Sequence, residues 1–358
     1  MTGISAMSRF FSSKFKGLEP YTPGEQPKDT SYVKLNTNES PFPPLKAVTD
    51  AAASCRPLNL YSDPTCSDLI AKLAEVYKIS PDRIIPSNGS DETLYFAFLA
   101  FCDSGHPAVF PDITYGFYPV FAQITNTPYT EIPLKEDMTI DINDYIGINK
   151  NIFIANPNAP TGICLTTGEI EQIVKSNPSN VVVIDEAYVD FGGESALPLV
   201  EKYDNLLVVR TFSKSRSLAG ARLGFSFGSP GLINDLNTIR FSTNPYNINS
   251  MTLAAGIASL ENEDYTIENC NTIIKNREYT TDKLRSLGFE ILPSCANFIF
   301  AKHAGLDGGW LYAELKRRGV LVRHFTKERI CQYNRITIGS MDQMNVLISE
   351  LEDILKER

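Results

Sequence analysis

Short, mostly apolar runs that each end in a polar loop constrain the fold of this chain more than any other feature. They cover residues 108–110, 151–155, 181–184 and 206–209. Runs of this length without polar alternation are typical of parallel strands that are buried on both faces. Helical patterns lie between the runs, as at residues 167–176. The alternation predicts an α/β protein with a doubly wound or mixed sheet, whose ligands would bind beyond the carboxyl ends of the strands.

Composition excludes several classes of function. The chain of 358 residues carries a net charge of −9, so a surface that binds nucleic acid is not expected. No apolar run approaches the roughly 18 residues of a membrane span. The seven cysteines form no Cys-x-x-Cys pair and their odd number argues against a disulfide framework, which favours a reducing, cytoplasmic location. Three scattered histidines show no metal-ligand spacing, so no metal site is predicted.

The chain is predicted to form two lobes and an extended arm. The arm, residues 17–44, is rich in Pro, Asn and Thr and contains one strand, and we expect it to lie across another lobe or subunit. Beyond residue 230, long helices give way to short strands, which indicates a smaller α+β lobe. The predicted limits are 1–45 for the arm and part of the small domain, 46–245 for the large domain and 246–358 for the small domain.

The start of the chain is basic and rich in serine, which invites comparison with a transit peptide. This segment is short, however. A surface helix over residues 8–16 is therefore the preferred interpretation.

A loop at residues 211–224, with the sequence TFSKSRSLAGARLG, follows the strand at 206–209. It places Lys214 among hydroxyl groups, with Arg222 eight residues further on. A lysine amine can condense with an aldehyde, while hydroxyls and a guanidinium can hold a phosphate. Pyridoxal 5'-phosphate carries both groups, so the loop predicts a site for this cofactor. The alternative is a solvated basic loop.

Residues at other strand ends could contact the ring of such a cofactor. Asp185 could pair with the protonated pyridine nitrogen, because a buried carboxylate needs a cationic partner. Tyr188 could reach the ring's phenolic oxygen, and Tyr115 could stack on its face. A helix cap and core aromatics would explain the same residues individually.

A turn of small residues could hold the cofactor phosphate. It precedes the apolar helical run at residues 93–101, and the N–H groups at such a helix start favour an anion at Gly89, Ser90 and Asp91. Ser213 would add a hydroxyl from the lysine loop. An ordinary helix cap by Ser90 is the alternative.

Three motifs resemble the signatures of fold-type I pyridoxal-phosphate aminotransferases. They are Asn-Pro-Asn-Ala-Pro-Thr-Gly at 156–162, Asp-Glu-Ala-Tyr at 185–188 and the loop at 211–224. More narrowly, the chain resembles the histidinol-phosphate aminotransferase family almost from end to end. The further residues that carry this likeness lie at 18–24, 35–41, 61–64, 88–92, 245–250 and 294–298.

The resemblance implies an architecture and an assembly. The large domain would have a mostly parallel seven-stranded sheet between helices, beside a smaller α+β domain. The protein would be a homodimer with its active site at the subunit interface. Tyr61 of one chain would touch the cofactor phosphate of the other, and Tyr21 would reach a neighbour's substrate. Thr211 would join the cofactor-binding residues.

The resemblance also implies how substrates bind. Arg335 would hold an α-carboxylate and Arg323 a substrate phosphate or distal carboxylate, with Asn38 nearby. Planar guanidinium groups suit both kinds of anion, so one site could accept glutamate and then a phosphorylated amino alcohol. A structural salt bridge is the alternative for either arginine.

One position departs from the family pattern. The family commonly has asparagine immediately before Pro-Thr-Gly, where it binds the ring oxygen of the cofactor, but this chain has Ala159 there. Either Asn158 takes that role through a shifted loop, or Tyr188 holds the oxygen with little help. We prefer the second explanation, because a neighbouring side chain usually points elsewhere.

The implied reaction is amino transfer between L-histidinol phosphate and 2-oxoglutarate in histidine biosynthesis, with Lys214 moving the proton. Threonine-phosphate decarboxylation and aromatic-amino-acid transamination on the same scaffold are the nearest alternatives. A cofactor-binding regulator without turnover belongs to another class, as does an unrelated phosphate-binding α/β protein with Lys214 on its surface.

Overall fold

A seven-stranded sheet forms the centre of the computed structural model, which describes residues 8–15, 17–27, 32–55 and 58–357. Its strands in spatial order are Ile84–Ser87, Gly224–Phe227, Leu206–Thr211, Val182–Asp185, Asn151–Ala155, Ala108–Pro111 and Tyr129–Ile132. Gly224–Phe227 runs antiparallel to both of its neighbours, and every other pairing is parallel. The predicted α/β class and the mostly parallel seven-stranded sheet are therefore confirmed.

The central strands are buried on both faces, which explains their continuous apolar sequences. Ile152 and Ile154 point into one apolar cluster and Phe153 into another on the opposite face, as the two-residue period of a strand requires. Helices cover the two faces: Lys46–Ala53, Ser67–Tyr77, Ser90–Phe101, Tyr118–Thr125, Thr167–Ser176, Pro230–Thr243 and Ser250–Leu260. The polar ends of these strands meet at one edge of the sheet.

A second, antiparallel sheet forms a separate core in the C-terminal part of the chain. Its strands are Arg323–His324, Asn334–Thr337, Phe298–His303 and Phe289–Ile291, in that order. The helices Glu263–Ser286, Gly308–Arg317 and Met341–Lys356 accompany it. The last helix begins with a capping box between Ser340 and Gln343. This sheet, its helices and the short strand Val320–Leu321 are called the small lobe below.

The N-terminal arm joins the two lobes. Its strand Val33–Lys34 pairs in parallel with Val320–Leu321 of the small lobe. Before this strand, Tyr21 and the residues after it border a cavity between the lobes. The arm was predicted to lie across either another lobe or another subunit. In this structure it lies across the small lobe of its own chain.

Packing bears on where the domain boundary lies. Ile248, Ala255, Ala258 and Leu260 belong to the same apolar cluster as the strands of the large sheet. The domain boundary after residue 245 stays a prediction. This packing favours a boundary after Leu260 instead, because helix Ser250–Leu260 packs with the large domain.

The predicted surface helix over residues 8–16 is wrong for the residues that the structure describes. Only the single 3-10 turn Ser13–Phe15 is helical, and Lys16 lies outside the described residues. Phe10 is exposed, so the segment has no apolar face packed on the body, and a helix this short is marginal without one. Within the described ranges, no helix combines the length and apolar content that crossing a membrane requires.

Candidate active site

A cavity of about 720 Å³ lies between the carboxyl edge of the large sheet, the small lobe and the arm. Most of the residues predicted for the site line it: Tyr21, Asn38, Ser90, Asp91, Tyr115, Asp185, Tyr188, Thr211, Ser213, Lys214, Arg222, Arg323 and Arg335. They come from separate strand ends because the carboxyl ends of parallel strands meet at one edge of a sheet. The cavity is large enough for a small-molecule ligand.

Lys214 lies three residues beyond the strand Leu206–Thr211 and extends its amine into the cavity. The Nζ atom donates a hydrogen bond to the backbone carbonyl of Thr37, at 3.1 Å. Burial, reinforced by the positive charge of Arg335, lowers the pKa of this amine to about 8. A lysine with such a pKa is partly neutral near physiological pH, and the neutral amine is the form that acts as nucleophile or base.

Asp185 ends the strand Val182–Asp185 with only 4% of its surface exposed. One carboxylate oxygen accepts the N–H of Ala187 at 3.2 Å and the other accepts the hydroxyl of Tyr118 at 3.3 Å. Burial raises the pKa of this carboxyl group to about 7. No cationic side chain of the described residues forms an ion pair with it. A buried carboxylate facing a cavity without a protein cation is suited to a cationic ligand group.

Tyr188 is held by a chain of hydrogen bonds that joins the arm to the small lobe. The side-chain amide of Asn38 donates to the Tyr188 hydroxyl at 3.0 Å, and the hydroxyl of Thr337 donates to the Asn38 carbonyl at 2.9 Å. The Nζ atom of Lys214 lies 5.8 Å from the centre of the Tyr188 ring. The amine and the phenol therefore face the same part of the cavity.

The start of helix Ser90–Phe101 forms one end of the cavity. Gly89 precedes it with a φ of +76°, and a Cβ there would lie 2.5 Å from a guanidinium nitrogen of Arg222. Arg222 pairs with the Asp91 carboxylate at 3.1 Å, and Tyr115 donates its hydroxyl to the same carboxylate at 2.6 Å. Free N–H groups at a helix start, next to a guanidinium and hydroxyls, suit a phosphate.

Two arginines lie at the opposite end of the cavity. Arg335 donates to the carbonyl of Asn36 at 3.0 Å, while its Nε atom is shielded from solvent and has no partner among the described residues. Arg323 donates to the carbonyls of Thr22 and Pro23 at 3.0 and 3.2 Å, which fastens the arm over the cavity. Arg335 lines the cavity and forms no ion pair with a carboxylate of the described residues, so its guanidinium is suited to an anionic ligand group.

Tyr21 lies on the arm and borders the cavity of its own chain. The expected contact of Tyr21 with a neighbour's substrate stays a prediction. Its ring stacks on Phe117 with a centroid distance of 4.1 Å and lies 6.4 Å from the ring of Tyr115. The arm folds back because Arg323 binds the two carbonyls that follow Tyr21.

Three other predicted residues do not line the cavity. Gly89 lies behind Arg222, where its missing side chain lets the guanidinium approach. Asn158 directs its amide to the carbonyl of Ile113 at 2.9 Å, away from the cavity wall that Ala159 forms. This placement favours the explanation in which Tyr188, rather than Asn158, serves the ring oxygen.

Tyr61 is the third of these residues. It is 82% exposed and stacks on Tyr246 at a centroid distance of 4.3 Å, outside the cavity. Tyr61 therefore does not line the cavity of its own chain, and its contact with a second chain stays a prediction.

An ion-pair network behind the site was not predicted. Arg210 is 7% exposed and pairs with Glu186 at 3.0 Å and with Asp190 at 3.2 Å. Ser215 donates its hydroxyl to Asp190 at 2.5 Å. Glu186 follows Asp185 and Ser215 follows Lys214, so the network ties the two cavity residues together from the opposite face. An arginine inside an otherwise apolar strand was the signal that could have revealed it.

Replacing Arg210 by methionine is expected to lower the free energy of unfolding by about 3–5 kcal/mol, because Glu186 would be left buried without a counter-charge. Urea unfolding of the cofactor-free protein measures this. Arg317→Met is the matched control, since Arg317 pairs with Glu314 at an exposed position and should leave stability almost unchanged. An equal loss in the free energy of unfolding for both variants would show that the buried network adds no more stability than an exposed ion pair.

Asp185 should make stability depend on pH in a defined direction. Its pKa is about 7 in the fold against 3.8 ordinarily, so it stabilises the fold while protonated, and this contribution is lost as the pH rises to about 7. The free energy of unfolding of the cofactor-free wild type should fall relative to Asp185→Asn by about 1.4 kcal/mol per pH unit between about pH 4 and about pH 7. Urea unfolding of both proteins across this range measures the difference. A difference independent of pH would contradict the raised pKa.

A mostly parallel sheet whose carboxyl edge carries a buried lysine amine, an unpaired carboxylate and an anion site defines a fold-type I pyridoxal-phosphate enzyme. The chain belongs to the aminotransferase class I and II family, whose model matches residues 30–351. Among the described residues, no group of three or more His, Cys, Asp or Glu side chains is placed to hold a metal ion.

Known proteins similar to this chain narrow the class further. The histidinol-phosphate aminotransferase of Brachyspira hyodysenteriae is 49% identical over 353 residues, covering 98% of this chain and 100% of its own. That of Acinetobacter baumannii is 46% identical over 361 residues, covering 99% and 100%. The solved structure of histidinol-phosphate aminotransferase from Sinorhizobium meliloti in complex with pyridoxal-5'-phosphate superimposes with a TM-score of 0.83 at 25% identity, covering 90% of this chain and 91% of that one.

Proposed function

We propose that this chain is a pyridoxal 5'-phosphate-dependent aminotransferase that transfers the amino group between L-histidinol phosphate and 2-oxoglutarate. The names of relatives 46% and 49% identical over nearly the whole chain support this substrate pair. The observation that carries the proposal is one cavity lined by the amine of Lys214, the carboxylate of Asp185 and an anion site at the start of helix Ser90–Phe101. The reaction would serve histidine biosynthesis in the cytoplasm.

The residues present fit the ring of the cofactor. Asp185, which is buried and has no cationic partner among the described residues, would hold the protonated ring nitrogen, and Lys214 would bind the aldehyde carbon. Tyr188 would donate to the ring oxygen, with its hydroxyl oriented by Asn38. Tyr115 would lie against the ring. When bound, pyridoxal phosphate supplies an electron sink that stabilises negative charge on the substrate carbon that carries the amine.

The anion site would hold the cofactor phosphate. Arg222 would supply a guanidinium, Ser213 and Thr211 their hydroxyls, and the helix start its N–H groups at Ser90 and Asp91. Gly89 would permit this arrangement because any side chain there would displace Arg222.

Lys214 would also move the proton during amino transfer. Its neutral amine would take a proton from the substrate carbon that carries the amino group and would give the proton back later in the reaction. A pKa lowered to about 8 by burial favours this role, because the amine must be neutral to accept a proton. The hydrogen bond to the Thr37 carbonyl would orient the free amine in the cavity.

Arg335 and Arg323 would recognise the anionic ends of the two substrates. Arg335 lines the cavity without a carboxylate partner among the described residues and would bind the α-carboxylate of glutamate. Arg323 would meet a substrate phosphate or the distal carboxylate, and Tyr21 and Asn38 would border the substrate. The same guanidinium groups would serve both half-reactions because carboxylate and phosphate oxygens accept N–H groups in similar geometry.

We propose a homodimer in which Tyr61 completes the phosphate site of a second copy. Tyr61 lies outside its own cavity and is strongly exposed, together with the apolar side chains of Leu58 and Leu60. Exposed aromatic and aliphatic groups in one patch are typical of an interface.

Steady-state assays of the cofactor-loaded protein test the proposal. With histidinol phosphate and 2-oxoglutarate, we expect stoichiometric glutamate and imidazole acetol phosphate. Threonine phosphate should release no carbon dioxide, and phenylalanine should transfer its amine with a lower kcat/KM. Carbon dioxide from threonine phosphate would favour the decarboxylase, a higher kcat/KM for phenylalanine would favour the aromatic transaminase, and a coloured protein without turnover would favour a regulator.

A further inference from the structure

Two thiols lie in contact outside the active-site cavity. The sulfur atoms of Cys164 and Cys295 are 2.9 Å apart, although 131 positions separate them in the chain. Cys164 follows the loop whose residues Ala159 and Pro160 form part of the cavity wall. Cys295 lies just before the strand Phe298–His303 of the small lobe. The two thiols therefore lie where the loop that contains Ala159 and Pro160 contacts the small lobe.

The backbone around the two thiols is held in register. The N–H of Cys295 donates to the carbonyl of Gly162 at 2.8 Å. Gly162 has a φ of +82°, and a Cβ there would lie 2.5 Å from the Ser294 hydroxyl, so only glycine allows this approach. The Ser294 hydroxyl is itself bonded to the carbonyl of Phe298 at 2.6 Å. The meeting of the two sulfur atoms thus follows from contacts on both sides of the pair.

A cation lies beside the pair. Arg277 donates to the carbonyls of Ala296 and Phe191 at 2.6 and 2.8 Å, which fixes its guanidinium next to this segment. The thiol of Cys164 donates to the Cys295 sulfur and, together with Arg277, lowers the pKa of Cys295 to about 7. The same hydrogen bond raises the pKa of Cys164. The positive charge of Arg277 favours the thiolate of Cys295, and the thiolate is the reactive form of a cysteine.

The fully buried thiols differ from this pair. Burial raises the pKa of Cys102 and that of Cys270 to about 12, which makes both unreactive. Cys164 and Cys295 are only partly buried, so a small reactant can reach them. A metal site does not explain the pair, since the described residues offer no third ligand.

We propose that Cys164 and Cys295 form a dithiol site that reacts with low-molecular-weight disulfides to give a reversible disulfide bond within the chain. The Cys295 thiolate attacks one sulfur of the small disulfide, forms a mixed disulfide and releases one small thiolate. Cys164 loses its proton and attacks the Cys295 sulfur, forming the bond between the protein sulfurs and releasing the second small thiolate. The two protein thiols lose two electrons, which reduce the small disulfide. The two small thiolates that are released take up the two protons.

This bond would fasten the cavity-wall loop to the small lobe. Any motion of the small lobe against the large sheet would then be restricted near the cavity. In a reducing compartment the pair stays as two thiols, and it responds when small disulfides accumulate. The inference does not depend on the proposed transamination.

Redox titration of the cofactor-loaded protein with glutathione tests the proposal. The protein is equilibrated at several ratios of oxidised to reduced glutathione, quenched with acid and alkylated, and its peptides are mapped by mass. We expect Cys164 and Cys295 to lose their free thiols together within a single chain. The midpoint ratio should be at least about tenfold lower than for the urea-unfolded chain, because the fold holds the sulfur atoms together.

Variants separate this site from general thiol oxidation. Cys164→Ser should leave Cys295 able to form only a mixed disulfide with glutathione, whereas Cys295→Ser should leave Cys164 free. Cys331→Ser is the matched control for a partly buried thiol elsewhere, and it should not change the titration. Three results would overturn the proposal. Both thiols could remain open to alkylation at every glutathione ratio, the midpoint ratio could be the same for the folded and the unfolded chain, or the disulfide could join two chains. The peptide map of the wild-type protein shows by itself whether the Cys164–Cys295 bond forms, even if a variant fails to fold.

Discussion

Lys214→Ala is expected to lower turnover by about 10⁴-fold or more and to abolish the absorbance of the lysine-bound cofactor. Alanine offers no amine to bind the aldehyde and no base to move the proton at the substrate carbon. The amine of Lys214 lines the cavity together with Asp185 and the anion site. Spectra of the purified protein and single-turnover rates with histidinol phosphate measure the two effects.

Lys214→Arg is the matched control for this substitution. It keeps a positive charge at the same position but provides no free amine, so it should be as inactive as Lys214→Ala. Both variants should still bind the cofactor reversibly through Asp185 and the residues around Arg222. An arginine variant with wild-type turnover would show that charge, rather than the amine, is what the site requires.

Asp185→Asn is expected to lower kcat by about 10³-fold with a much smaller change in KM. A neutral amide cannot hold a proton on the ring nitrogen, so negative charge on the substrate carbon would lose its main stabilisation. Rates with saturating histidinol phosphate, together with the pH dependence of the cofactor absorbance, measure this effect.

Tyr118→Phe tests whether the carboxylate itself is responsible. This substitution removes the hydroxyl that donates to Asp185 at 3.3 Å but keeps the N–H of Ala187 on the other oxygen. We expect kcat to fall by less than about tenfold. A loss as large as that of Asp185→Asn would mean that the orientation of the carboxylate, and not its charge, limits the reaction.

The fold and most of the cavity could be predicted because local sequence controls them. Val182–Asp185 is apolar at each position before its last, since both of its faces are buried, and such a strand must end in a loop at the sheet edge. Lys214 and Asp185 could therefore be assigned to one edge before any contact was known.

Features that depend on distant contacts could not be predicted. Tyr118 and Arg210 act through partners far away in the chain, Asp185 and Asp190 respectively, and no local pattern reveals those partners. The edge strand Tyr129–Ile132 was missed because its side chains are largely exposed and form no apolar run. The position of Tyr21 at the cavity of its own chain depends on the bonds from Arg323 to two backbone carbonyls of the arm, which no local pattern reveals.

Reduction of the cofactor-loaded wild type with borohydride, followed by peptide mapping, tests the central claim most directly. Borohydride reduces the C=N bond between an aldehyde and a lysine amine to a stable single bond. The lysine that carries the label is therefore the one that binds the cofactor aldehyde. We predict a single phosphopyridoxyl group, on Lys214, which disappears when histidinol phosphate is added before the borohydride. A label on another lysine, or a label on Lys214 that histidinol phosphate does not remove, would contradict the account.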